Sequence, residues 1–183
     1  MKQLAFTEAD SVDPRFEELN RWTFLMMQVF EARTFLDLAE STHHVHPLSS
    51  LSEVLTQQAL FRSFILSYGK CFVSSGTGRS SLDPKKIYLS LSAKLDTHQR
   101  LLELRHKFAA HNDCSGLDEA VIEVVESPSE FEVSHLYSVA NPLHEYPSYR
   151  ELLQTLEDYI VVGTNKHLDS LQRRLGKTVL VKK

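Results

Sequence analysis

The 183-residue chain has only two cysteines, Cys71 and Cys114. Two thiols cannot build a disulfide framework or complete a structural zinc site. Their scarcity points to a reduced, cytoplasmic protein in which both serve as small apolar packing residues. Glycine and proline are also sparse, at six each, which excludes a collagen-like or linker-dominated chain. Long apolar runs are missing: Phe24–Met27 and Tyr159–Val162 are typical of the longest. A membrane-spanning helix needs roughly 20 apolar residues, so none is expected. Met1–Asp10 holds Lys2, Glu8 and Asp10 without an apolar core, and is not expected to be a secretory signal. A strong charge of one sign is absent too. The 20 Lys/Arg and 24 Asp/Glu leave a net charge of −4, which argues against nonspecific nucleic-acid binding by the chain as a whole.

What is present fits a single soluble domain spanning 1–183. Apolar residues make up 42% and charged residues 24%, enough for one core at this length and too little chain for two. The charge is unevenly spread. Between Arg79 and Asp113 there are seven Lys/Arg against four Asp/Glu, leaving 13 basic and 20 acidic residues elsewhere. His98, His106 and His111 fall in the same basic segment. Either a local anion site or an ordinary solvated helix face would read this way.

The periodicity is mostly helical. After a lead-in over 1–12, Asp13 is placed to cap a helix with Pro14 at its first position. Trp22, Leu25, Val29, Ala32, Leu36 and Ala39 then recur at helical spacing to about Glu40. A second stripe, Phe16, Leu19, Thr23, Met26 and Phe30, widens the apolar face beyond what a surface helix needs. Such a helix is central to a bundle or shared with a second copy. A histidine-bearing loop over 41–50 precedes a helix opened by Ser50 and Glu53 at capping-box spacing, with Val54, Gln58, Phe61, Ile65, Tyr68 and Phe72 as its stripe. A loop over 74–81 follows. Asp83-Pro84 begins a short helix to about Leu91, and Asp96 is placed to cap a fourth to about Asn112, ended near Gly116.

The period then changes. Ala120–Glu126 and Glu130–Val139 are rich in Val, Ile, Phe and Tyr and are split by Ser127-Pro128-Ser129, the pattern of a β-hairpin at about 119–139. Ser148 and Glu151 form another capping box, opening a long last helix to about Leu175. A basic tail, 177–183, follows. The expected fold class is therefore mainly α: a bundle of four to five helices with a small β-hairpin inserted before the last long one.

The fourth helix breaks its own pattern. At 100° per residue with Leu101 at zero, Leu104 and Phe108 lie at about 300° and 340°, and Ala109 and Leu102 at about 80° and 100°. Arg100, Glu103, His106 and Lys107 take the wet side. Arg105 falls at about 40°, inside the apolar arc, with Asn112 almost directly above it and His111 at the arc's edge. A guanidinium aimed into an apolar face is costly unless it is paired or faces a cleft. Arg105 is thus either a structural arginine, ion-paired or snorkelling along its stem, or a ligand-facing one. A histidine near a helix C-terminus is favoured by the dipole alone.

The run Leu104-Arg105-His106-Lys107-Phe108-Ala109-Ala110-His111-Asn112-Asp113 resembles the signature of the HEPN superfamily, an Arg followed by a polar residue and then a His five to seven positions after the Arg. It looks like the group found in abortive-infection proteins and toxins. The resemblance implies a HEPN-like helical bundle, commonly a homodimer whose two motifs share a cleft. It implies a metal-independent endoribonuclease of toxin or antiviral type, with RNA as partner, room for an antitoxin or regulator, no cofactor and no metal. Arg105 and His111 would be catalytic, with His106, Asn112 and Lys107 supporting or binding RNA. Some HEPN domains lack nuclease activity and act as RNA- or protein-binding modules, and this alternative stays open. Where some HEPN toxins carry a modifiable Tyr two positions after the His, this chain has Asp113, so that regulation is not expected. On the helix Arg105 and His111 are about 120° apart and roughly 9 Å apart in rise, so a shared phosphate needs Arg reach, a distorted helix end, or two protomers.

Other motifs are weaker. His43-His44-Val45-His46 lacks an acidic or Cys partner at a telling spacing for a metal. Gly76-Thr77-Gly78-Arg79 lacks the Lys-Ser/Thr of a P-loop. No nucleophile-elbow pattern occurs.

Overall fold

The structure is a computed structural model, and it describes residues 14–42, 51–73, 81–88, 91–110, 118–139 and 142–180. Pro14 opens a 3-10 turn, Pro14–Phe16, before the first α-helix, α1 (Glu17–Ser41). There follow α2 (Leu51–Lys70), α3 (Pro84–Tyr88), α4 (Ser92–Ala110), β1 (Asp118–Glu126), β2 (Phe131–Val139) and, after a second 3-10 turn at Leu143–Glu145, α5 (Tyr146–Leu175). The chain is mainly helical, with one antiparallel hairpin before the last long helix. No described helix is long and apolar enough to cross a membrane.

α1 packs against both α2 and α5 through its first stripe. Leu25, Val29, Ala32, Leu36 and Ala39 are buried, and the two alanines let neighbouring helices come close. Gln57 of α2 donates its side-chain N–H to the Ala39 carbonyl at 3.0 Å, answering one of the orphan acceptors at the end of α1. Arg33 meets Glu157 at 2.5 Å, and Arg150 meets Asp37 at 2.9 Å and also Glu40, tying α1 to α5. These pairs are partly wet and fix orientation more than they stabilise. Of the second stripe, Phe16 and Leu19 are half-buried, Met26 is exposed and Phe30 is 71% exposed; Met27 and Leu38, outside both stripes, are exposed as well.

α5 presents Tyr146, Tyr149, Leu152, Leu153, Leu156 and Ile160 to the interior. At Gly163 the helix has no side chain, and Trp22 of α1 fills the space. A Cβ there would lie 2.2 Å from the edge of the indole ring. Gly176, with φ of 62°, closes α5 in the left-handed conformation that glycine adopts without strain.

Two expected boundaries move. α4 begins at Ser92, ahead of Asp96, which lies exposed within the helix. The Lys94 and Leu95 N–H groups already donate to the Leu91 carbonyl, and Lys94 reaches across to Thr155 of α5. Tertiary anchoring of the first turn outweighs the side-chain cap. α5 begins at Tyr146, ahead of the Ser148 box. The buried rings of Tyr146 and Tyr149 set the start, and Pro147 suits the first turn. α3 is described as far as Tyr88, whose ring is buried, and Leu89 and Ser90 lie outside the described residues.

A polar knot sits in the interior around His98. His98 of α4 is buried against Phe72, Tyr68 and Tyr88, with ring centroids 4.5, 5.9 and 5.7 Å away. Its Nδ1 lies 2.7 Å from the Tyr68 hydroxyl. Burial lowers its pKa from 6.5 to about 4, so at neutral pH the imidazole is uncharged and shares a hydrogen bond with Tyr68 whose direction follows the tautomer. Cys71, beside this knot, is free and buried, and burial pushes its thiol up to about 12.

Two outcomes follow from this packing. Because the unfolded chain protonates His98 first, stability should fall as pH drops from about 6.5 towards 4, by up to about 1.4 kcal/mol per pH unit. Urea unfolding across that window should show the slope, and His98→Gln should lose it. Gly163→Ala should destabilise the fold by about 1–3 kcal/mol through overpacking against Trp22, despite the better helix former, as read by the thermal midpoint.

Candidate functional site

α4 carries Arg105, His106 and Lys107 of the expected motif, and its two sides come out as the spacing requires. Leu101 and Leu104 are fully buried, while Glu103 and His106 are exposed. Arg105 stands between these extremes, half-buried. Its stem crosses the backbone of α2 at Gly69, where a Cβ would come within 2.2 Å of Arg105 Cδ and 2.7 Å of Nε. The missing side chain at Gly69 is what admits the arginine. An isolated glycine within a helical stretch commonly marks such an approach, so Tyr68-Gly69-Lys70 held the signal that the sequence reading passed over.

The Arg105 Nε is sealed from solvent without a hydrogen-bond partner, and among the described residues Arg105 makes no ion pair. That removes the ion-paired structural arginine among these residues and leaves a stem laid across α2 with its charge uncompensated by any described residue. The neighbouring cations behave differently. Lys94 Nζ donates to Thr155 Oγ1 at 2.6 Å, and Arg100 lies 3.7 Å from Glu145, so both are engaged with α5 or the turn before it. An uncompensated guanidinium is suited to an anion, because its planar fork can bind two oxygens at once.

Of the other expected site residues, His106 is exposed and Lys107 half-buried on α4. His111 and Asn112 lie outside the described residues, as do Asp113, Cys114, the His43–His46 stretch and the Gly76–Arg79 loop. The basic segment loses one member. His98 falls in that segment by sequence, but it is enclosed in the core and neutral, so it offers nothing to an anion. Among the described residues no three His, Cys, Asp or Glu side chains gather as a metal-holding group.

A second group of cations borders a hollow of about 130 Å³ where α5 ends beside the start of α1, formed by Arg15, Glu18, His167, Ser170 and Arg174 with two leucines. Glu18 occupies it as an anion of the chain's own. It lies 3.6 Å from His167 Nε2 and 3.1 Å from Arg21, and it accepts from the Trp22 indole N–H at 3.3 Å. The carboxylate already answers the local positive charge, which distinguishes this corner from Arg105.

The Arg105–Gly69 crossing is testable by a double-mutant cycle in urea. Gly69→Ala alone should cost about 1–3 kcal/mol by overpacking. In an Arg105→Ala background the cost should vanish, leaving the gain of up to about 1 kcal/mol expected for replacing a helical glycine. Comparison of the chain with family models, with curated proteins and with solved structures found no match in any of the three.

Proposed function

We propose that the protein is a metal-independent endoribonuclease of HEPN type. The observation that carries the reading is Arg105, half-buried on α4 without an ion-pair partner among the described residues, six positions ahead of His111 in the sequence. The mainly helical fold with a hairpin before the closing helix is compatible with it.

The chemistry asks little of the protein. The 2′-hydroxyl of RNA attacks the adjacent phosphorus, the bond to the 5′-oxygen breaks, and a 2′,3′-cyclic phosphate forms. His111 takes the 2′-hydroxyl proton or delivers one to the leaving 5′-oxygen, work suited to an imidazole that titrates near neutrality. Arg105 binds the non-bridging oxygens and stabilises the charge that grows on the five-coordinate phosphorus. His106, Lys107 and Asn112 hold the strand.

The exposed apolar hairpin favours a second reading, a non-catalytic module that binds RNA or protein through the same fold. The two separate in one assay. Purified protein is incubated with RNA in excess chelator beside His111→Ala and Arg105→Ala. The nuclease reading expects cleavage to fall by about 10²–10⁴ on losing the histidine and about 10²–10³ on losing the arginine. Equal cleavage by all three, or none by wild type, overturns it. RNA binding without turnover supports the module.

A further inference from the structure

The hairpin is the least satisfied part of the molecule. The register sets Val124 opposite Val133, Ile122 opposite His135 and Glu126 opposite Phe131 on one face, and Val121 opposite Leu136 and Val125 opposite Glu132 on the other. Both faces carry exposed apolar residues, with Ile122 63% and Phe131 65% exposed. β2 touches α2, and the sheet has no third strand among the described residues. An isolated two-stranded ribbon is marginal in water, and an open edge is a template for another strand. The ribbon is also uniformly acidic. Asp118–Val139 contains six Asp/Glu and no Lys or Arg. Pairing hairpin on hairpin between two copies would therefore set like charges together.

One segment of the chain has the complementary chemistry. Lys177-Thr178-Val179-Leu180-Val181-Lys182-Lys183 carries three lysines, no acid and four β-prone or apolar residues. Leu180 is 80% exposed. The Val179 N–H donates back to α5, to Gln172 Oε1 at 3.3 Å. As an extended strand it would place Val179 and Val181 on one face and Leu180 on the other, matching a ribbon that is apolar on both. The segment leaves the far end of α5, whose 30 residues span about 45 Å, whereas seven extended residues reach at most about 25 Å. A second copy can present its hairpin without that limit on reach.

We propose that Lys177–Lys183 of a second copy adds as a third strand to the β1 edge of the hairpin, and that the exchange is reciprocal and closes a two-fold dimer. Backbone hydrogen bonds along the edge supply affinity, and lysine against glutamate supplies selectivity. This inference does not rest on the nuclease reading.

The test reads mass by sedimentation over a range of concentrations. The full chain should dimerise, and a chain ending at Gly176 should stay monomeric with unchanged helical circular dichroism. Two charge-reversed chains decide the pairing. One carries Glu123→Lys, Glu126→Lys and Glu132→Lys, and the other Lys177→Glu, Lys182→Glu and Lys183→Glu. Each alone should be monomeric. Mixed, they should form a heterodimer, because each tail then faces a hairpin of opposite sign. A full chain that remains monomeric, a truncated chain that keeps the mass of the full chain, or a mixture that stays unpaired overturns the proposal.

Discussion

A continuous path of aromatic rings holds the helices in register. It begins at Tyr146 and Tyr149 of α5, passes through Phe61 and Phe64 of α2, and reaches Tyr68 and His98, where α4 joins. Phe72 and Tyr88 extend it to α3. Neighbouring rings pack tilted, edge-on or stacked, the arrangements their quadrupoles favour when centroids lie within about 7 Å. Large flat side chains tolerate little sliding, so this layer fixes where α4 crosses α2. The position of Arg105 over Gly69 follows from it, two helical turns beyond His98.

Much of this was readable from spacing alone. The buried stripe of α1, the stripes of α2 and α5 and the hairpin all obey local period rules, because burial of one face imposes the period on the sequence. Arg105 was legible for the same reason, as a charge at an angle reserved for apolar residues. What escaped was set by partners distant in sequence. The start of α4 depends on Lys94 reaching Thr155, and the start of α5 on two tyrosine rings finding Phe61. His98 looked like a member of a basic cluster because its hydroxyl partner stands thirty residues earlier, on another helix. Gly69 was silent until the arginine that needs it was in place. At the candidate site, the sequence nominated the arginine and the histidine together, and the described residues give a place to the arginine.

The two stripes of α1 and the two faces of the hairpin pose the same physical question at different scales. In each, one set of apolar side chains is used by the fold and another is left in water. On α1 the unused set is narrow and lies along an otherwise well-anchored helix, so its exposure costs the fold little. The hairpin lacks such an anchor. Its strands find each other but, among the described residues, only a slight contact with α2, and its acidic residues keep like ribbons apart while leaving the edge open to a basic strand.

The chain has a single tryptophan, and the fold lodges it at the seam of α1 and α5, pressed on Gly163 with His167 5.3 Å away. An indole so placed is a native optical gauge. Separation of these two helices would hydrate the ring and take the quenching imidazole away at once, so its emission would follow the opening of the bundle without any attached dye.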